Sequence, residues 1–431
     1  MTPAARIAAA IELVVAIDAA PRKPADAVAN SFFRDRRYIG SGDRRAVSDR
    51  AWHVIRARRR LSWWIGRARA RLSPRLLVAA SLLLEGWSRE GLDQAFSGGQ
   101  FAPEKFNVEE KAAVAAIVGH TLLHPAMPTA VRIEAPDWIV PLLEARFGAA
   151  LDAEMAAMDL PAPVDMRVNL LKCDRDAALA AMAEAGVVAE PTPLSPWGLR
   201  VPSRQPVVAL KPFQDGLVEI QDEGSQLIAA MVGAAPDMRV ADWCAGAGGK
   251  TLALAMTMQN RGHIVASDVS AIRLEGAVKR LRRAGVHNVE RHQPAPGDKW
   301  VKRRAGTFDR VLVDAPCTGT GTWRRNPDAR QRLTERDLSE LTMKQSVILD
   351  EASRLVRKGG RLVYATCSLL VEENEARVEA FLSAHPDFAV VPLAQAWSLP
   401  APAPCDGPYL ALTPLRHGTD GFFAAVLERV A

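Results

Sequence analysis

The stretch Arg239-Val240-Ala241-Asp242-Trp243-Cys244-Ala245-Gly246-Ala247-Gly248-Gly249-Lys250-Thr251 decides how this chain folds. A short apolar strand, Arg239–Trp243, runs into a loop of small residues that opens a predicted helix over Thr251–Met258. The alternation recurs downstream. Further strands are expected at His263–Ser267, Arg310–Val313 and Leu362–Ala365, with helices at Ala271–Ala284 and Leu338–Leu355. Strands alternating with helices predict an α/β fold with a doubly wound, mostly parallel sheet whose ligand sits at the carboxyl ends of the strands.

The loop itself narrows the ligand. Small residues let a ligand approach the backbone, and a helix N-terminus offers unpaired N–H donors. Gly249-Lys250-Thr251 imitates the end of a phosphate-binding loop, but that pattern wants glycine where Cys244 stands. Strict GxGxxG spacing fails as well, because Gly246 and Gly248 are followed by Gly249 and then Thr251. Asp268 ends the next strand about twenty residues on, where a carboxylate can accept from ribose hydroxyls. A tight loop with no pyrophosphate anchor, paired with a ribose-binding acid, suits a nucleoside ligand such as S-adenosylmethionine. A glycine turn that merely packs helix on strand is the plainer alternative.

Two cysteines lie at strand ends, in Asp314-Ala315-Pro316-Cys317-Thr318-Gly319-Thr320-Gly321 and in Tyr364-Ala365-Thr366-Cys367-Ser368. A lone cysteine is more often a small buried hydrophobe. These two flank polar residues, and parallel topology brings both to the binding edge. Thiolate attack at carbon 6 of a pyrimidine makes carbon 5 nucleophilic, provided the thiol ionises. An acid must also meet the charge growing at ring nitrogen 3, and Asp314 is placed for it unless it only caps its strand. Cys173, Cys244 and Cys405 read as structural, and no CxxC spacing or other metal-type cluster appears.

Outward from this core, residues 137–210 mix a strand at Met166–Leu171, a helix at Arg175–Ala185, and short strands at Val187-Val188 and Leu199–Val201, as a small α+β module would. Residues 1–128 are helical throughout, with segments at Ala5–Ile17, Asp43–Arg60, Arg75–Trp87 and Val108–Leu122. The expected domains are therefore 1–128, 137–210 and 211–431. Between Arg34 and Arg75 stand fourteen arginines, no lysine and three acids (Asp35, Asp43, Asp49), a balance of +11 within a chain of net charge +6. Such a block reads either as a solvated face or as a polyanion contact, and the scarcity of compensating acids favours the latter.

With 431 residues, 48% of them hydrophobic, and five cysteines, the composition excludes disordered, collagen-like and disulfide-scaffold classes. No run approaches the length of a membrane span. The expectation is a soluble, cytoplasmic protein with reduced thiols. Nothing demands a second copy, so a monomer is expected.

These residues together resemble the Sun (RsmB-type) family of S-adenosylmethionine-dependent RNA cytosine-5 methyltransferases. Its most specific parts are similar to Asp314–Gly321 with Arg324-Arg325-Asn326-Pro327-Asp328, and to Ala365–Ser368 with Glu372-Glu373-Asn374-Glu375. Phe213–Gln226, Met166–Lys172 (the family's RNA-domain signature) and Thr419–Phe423 are similar to further family segments, and the helical N-terminal region resembles a NusB-like RNA-binding domain. The resemblance implies a Rossmann-like catalytic domain acting on RNA, most simply small-subunit ribosomal RNA, with transfer RNA or a non-catalytic ribosome-assembly role as alternatives. It implies that Cys367 is the nucleophile, that Cys317 assists release, that Asp314 meets the base, and that Lys250 sits in the active site. Cofactor contacts would come from Cys244, Ala245, Gly246, Ala247, Gly248, Gly249, Lys250, Asp268, Arg273 and Asp314, with Gln293 or Asp298 on the adenine side. DNA-type cytosine-5 methyltransferases put their nucleophile in the Pro-Cys block, so residue order alone leaves the two thiols interchangeable. The family's Ala-Pro pair in the loop is Gly246-Ala247 here, which leaves the loop freer before binding. Local clusters such as Arg280-Leu281-Arg282-Arg283 and Arg324-Arg325 would carry RNA contacts in the catalytic domain.

Overall fold

Pro74–Leu84 is apolar on every side and is almost wholly buried, as a central helix must be. Ser73 caps it by accepting from Leu76 N, and the other N-terminal helices surround it. They span Pro3–Asp18, Ala25–Asp35, Ser41–Arg56, Arg58–Arg67, Arg89–Ala95 and Val108–Ile117. Their shared core includes Leu13, Val14, Leu61, Trp64, Leu77 and Leu82. The computed structural model describes all residues of the chain except 203, 204 and 296. It divides into two compact units, one of residues 1–159 with 323–334, the other of 160–322 with 335–431.

The first unit continues past the expected boundary near residue 128. Helices at Val140–Phe147 and Leu151–Asp159 belong to it, so the α+β module contributes its first strand only at Val164. A buried ionic network explains the continuation. Glu134 accepts from the backbone N–H of Arg59 and Arg60 and from the Arg60 guanidinium at 2.9 Å, while Arg60 and Arg330 both pair with Asp159. Arg330 comes from the 323–334 excursion, whose Asp328 accepts from Ala25 N at 3.0 Å. The expected single span of 211–431 is thus interrupted, and Arg324-Arg325 belong to the helical unit, with Arg324 buried.

The arginine block finds its acids elsewhere in the sequence. Arg36 pairs with Glu12, Arg50 with Glu85, Arg58 with Asp18, Arg59 with Asp137, Arg60 with Glu134, and Arg75 with Glu110. Counting charge within residues 34–75 therefore overstated the uncompensated excess.

The second unit holds two sheets. The smaller is antiparallel, with strands β1 (Val164–Val168), β2 (Glu190–Pro191), β3 (Gly198–Val201) and β4 (Val218–Ile220) in the order β2-β3-β1-β4. Val187-Val188, expected as a strand, is not one: Val187 turns inward from the end of a helix and Val188 is exposed. The larger sheet contains β5 (Arg239–Trp243), β6 (His263–Ser267), β7 (Val289–His292), β8 (Phe308–Asp314), β9 (Val356–Thr366), β10 (Phe388–Val391), β11 (Leu410–Leu412) and β12 (Phe422–Arg429). Its order is β10-β12-β9-β8-β5-β6-β7, with β11 on β12. β5 through β9 run parallel, and β12 enters antiparallel beside β9. β7 escapes a search for apolar runs because Val289-Glu290-Arg291-His292 is a half-exposed edge.

The order in which strands are added reverses at β5, with β6 on one side and β8 on the other, a topological switch point. The register pairs Trp243 with Ser267 and with Val313, and Asp314 with Ala365. Cys244, Asp268, Asp314 and Thr366-Cys367 therefore reach one edge together.

Candidate active site

The loop after β5 is drawn tight by backbone geometry. Cys244 takes φ 70° and Gly246 φ 58°, both left-handed, and Ala245 N donates to Ser267 O at 2.9 Å. Gly248, with φ 78°, would set a Cβ 3.2 Å from Ala277 Cβ, so glycine serves both conformation and space there. Asp268 is buried and splits its carboxylate: Oδ2 accepts from Gly246 N at 2.9 Å and Oδ1 from Ser270 N at 2.8 Å. Each oxygen keeps a second lone pair, which leaves acceptor capacity for vicinal hydroxyls at the loop.

Three residues outside the loop hold it from behind. Arg280 Nη1 donates to Ala247 O at 2.7 Å. Arg167, wholly buried on β1, donates to Gly249 O at 3.0 Å and to Gln221 Oε1, and Gln221 in turn bonds Ser225. Burial pushes the Arg167 guanidinium down to about 10. The segment similar to an RNA-domain signature thus works inward: Asn169 donates to Gly216 O and Ala284 O, and Lys172 to Asp215 O and Arg283 O. Arg283 stacks on Phe213, and both Arg280 and Arg283 pair with Glu219. Two arginines of the expected RNA-contact cluster at 280–283 are spent on docking the module. Arg273, expected at the cofactor, is exposed at its helix start. Arg280 is the arginine of that helix that touches the loop.

Lys250, on the first turn of the loop helix, reaches Asp314 Oδ2 at 2.7 Å. Burial works against its charge, yet Asp314, and behind it Asp242 and Cys367, hold its pKa above the ordinary lysine value. Asp242 beneath is fully buried. It accepts from Thr251 Oγ1 at 2.6 Å, and its Oδ1 has no hydrogen-bond partner among the described residues. Burial, reinforced by Asp314, pushes its carboxyl up to about 7. Cys244 is pushed up to about 12, chiefly by burial, so it is an inert thiol.

Cys317 Sγ and Cys367 Sγ lie 3.4 Å apart at the ends of the neighbouring strands β8 and β9. All five cysteines are free. The two thiols have unlike surroundings. Cys317 is raised well above the ordinary thiol value by its hydrogen bond to Cys367, by burial, and by the charges of Cys367 and Glu373. Cys367 lies within the field of the Lys250 ammonium. Either sulfur can donate to the other across this contact. No reading of residue order contains the difference in their surroundings.

The adenine-side alternatives also separate. Gln293 Nε2 donates to Val269 O at 3.3 Å, next to Asp268. Asp298 instead accepts from Trp300 N and faces His292, lining a cleft of about 860 Å³ that extends to Arg354 and Arg429. Arg429 donates to Val356 O at the start of β9, so that cleft runs to the wrong end of the sheet. Among the described residues no group of three metal-ligating side chains occurs, and no helix is long and apolar enough to cross a membrane.

Comparison with known proteins agrees with this architecture. The model of the 16S rRNA methyltransferase RsmB/F family matches residues 229–428, and that of the RsmF/B-like ferredoxin-like domain matches residues 135–208. A Synechocystis protein named "Probable ribosomal RNA small subunit methyltransferase B" is 33% identical over 298 residues, covering 68% of this chain and 66% of its own length. The match thus spans just under two thirds of that relative. The crystal structure of PH0851 is similar over 99% of both chains, at 25% identity and a TM-score of 0.80. A methyltransferase homologue from Pyrococcus horikoshii is similar over 71% of this chain and 100% of its own, at 29% identity and a TM-score of 0.61. The chain belongs to the RsmB/F family of S-adenosylmethionine-dependent methyltransferases.

Proposed function

We propose that this protein methylates carbon 5 of a cytosine in small-subunit ribosomal RNA through a covalent cysteine–base intermediate, acting in the cytoplasm. The observation that carries this reading is the pair of thiols, 3.4 Å apart, at the same sheet edge as a Lys250–Asp314 ion pair at 2.7 Å whose lysine is buried and whose carboxylate is half-buried.

The loop and its acid fit S-adenosylmethionine. Asp268 has acceptor capacity for the ribose, the loop backbone at Ala247 and Gly249 would border the nucleoside, and Gln293 would take the adenine edge. Val269 and Ile272, exposed apolar side chains directly after Asp268, offer the base a surface. When bound, S-adenosylmethionine supplies the methyl cation that carbon 5 takes up.

This chain's own residues do the rest. Cys367, as thiolate, bonds carbon 6 of a flipped-out cytosine. The ring's electron pair is met at nitrogen 3 by a proton from the Lys250–Asp314 pair. Once Cys367 is a thioether, it no longer carries the charge that helps hold the Cys317 proton. Cys317 can then lose that proton to water and take the one from carbon 5. The carbon 6–sulfur bond breaks and its electron pair returns to Cys367, while the proton on nitrogen 3 returns to the Lys250–Asp314 pair and the aromatic ring is restored. The helical unit would serve as an RNA-contacting, NusB-like domain.

Cys367→Ala should abolish methylation of a small-subunit rRNA transcript, and Cys317→Ala should accumulate an RNA–protein adduct that survives denaturing electrophoresis. Full activity in Cys367→Ala, or no adduct with Cys317→Ala, defeats the role assignment.

A further inference from the structure

Glu373 has no exposed surface, and among the described residues no lysine or arginine pairs with it. Burying a carboxylate without a cation is costly unless hydrogen bonds replace its water. All the side-chain partners it has are donors. Oε1 accepts from Thr318 N at 2.8 Å and from Gln345 Nε2 at 3.0 Å, and Oε2 accepts from Thr318 Oγ1. Gln345, itself buried, also donates to Pro316 O at 2.9 Å. The residues on either side of Cys317 are therefore both held by the Glu373–Gln345 pair. Tyr364 Oη pins Glu373 from below by donating to its backbone oxygen at 2.6 Å.

Cys367 is fixed through the same network. Ser368 Oγ lies 3.3 Å from Thr318 Oγ1 and 3.2 Å from Thr320 Oγ1, and Asn374 Nδ2 donates to Ser368 O at 2.9 Å.

We propose that Glu373 is a positioning residue that holds the Cys317 thiol in register with Cys367, so that loss of its carboxylate impairs release of the methylated base more than its formation. This rests on the reaction proposed above. Attack by Cys367 needs Cys317 only as a neighbour, whereas release needs its sulfur at the carbon 5 proton. A glutamine at this position keeps one acceptor oxygen but presents an NH2 to Thr318 Oγ1, which must turn from donor to acceptor, and the charge that orders the Cys317 loop is lost.

The test compares wild type, Cys317→Ala and Glu373→Gln in single-turnover methylation of an rRNA transcript and in adduct electrophoresis. Expected for Glu373→Gln is methyl transfer within a few-fold of wild type, release slowed by about tenfold or more, and adduct on the gel. A merely structural role would lower transfer and release together without adduct, which overturns the proposal, as would unchanged release. If Glu373→Gln does not fold, Thr318→Val, which removes one donor and leaves the carboxylate, carries the same expectation. Adduct with Cys317→Ala but not with Glu373→Gln overturns this inference alone. No adduct with either overturns the reaction and the inference together.

Discussion

Gly321 lies between the two segments proposed to carry the reaction. Its N–H donates to Cys367 O at 2.9 Å, and its carbonyl accepts from Gly421 N at 2.8 Å. A Cβ there would stand 2.2 Å from Gly421 O and 2.8 Å from Cys367 O, both backbone atoms. Ordinary contact needs about 3.5 Å, so Gly321→Ala must open this junction by about 1 Å. Neither side can yield by rotating a side chain. Overpacking of this kind costs about 1–3 kcal/mol, and in a unit of this size each kcal/mol lowers Tm by roughly 2–4 °C. The larger effect falls on chemistry, because displacing the Cys367 strand end by about 1 Å is worth about a hundredfold in rate. Gly186→Ala is the control: its φ of 77° is left-handed but nothing lies within 4 Å of its Cβ, so only about 1 kcal/mol of backbone strain is expected. The assays are calorimetric melting and initial rates of methyl incorporation. A Gly321→Ala protein with wild-type Tm and wild-type rate refutes the reasoning.

Other consequences can be tested in parallel. Arg67, Arg69 and Arg71 are exposed and their guanidinium groups form no ion pair among the described residues, Arg71 meeting Glu109 only through its backbone N–H, so their triple replacement by glutamine should flatten the salt dependence of RNA binding by about two to three in slope. Replacing Arg58 and Arg59 should change that slope less, since their charge is already met by Asp18 and Asp137; filter binding at several salt concentrations decides between the two sets. Arg60→Ala should instead destabilise the first unit by about 3–5 kcal/mol, because it strands the buried Glu134 carboxylate, and an unchanged melt would contradict this. Asp242 holds its proton more tightly folded than unfolded, so its contribution to stability is full below about pH 4 and is lost as pH rises towards 7. At about 1.4 kcal/mol per pH unit, Asp242→Asn should gain stability at pH 8, and less at pH 5; an equal shift of Tm at both pH values would show that burial is not the cause.

What the sequence determined by itself was local and periodic. The strand–loop–helix at Arg239–Met258, the acid Asp268 at the end of the next strand and the two cysteine blocks follow from alternation, small-residue spacing and polar residues at strand ends, none of which needs a distant partner. The sequence also showed that both thiols must reach one sheet edge, since parallel strands carry their ends there. Tertiary structure decided whatever depends on who neighbours whom. The acids that neutralise the arginine block come from residues as far away as Glu12 and Asp137, so a local charge count could not see them. The excursion at 323–334 joins the helical unit because Arg330 and Asp328 find partners there, although its position between β8 and β9 places it in the catalytic region of the sequence. The inequality of Cys317 and Cys367 is of the same kind. Identical side chains at equivalent strand ends meet different neighbours: the Cys367 sulfur, burial and Glu373 together raise Cys317, and such effects follow distance in space, not along the chain.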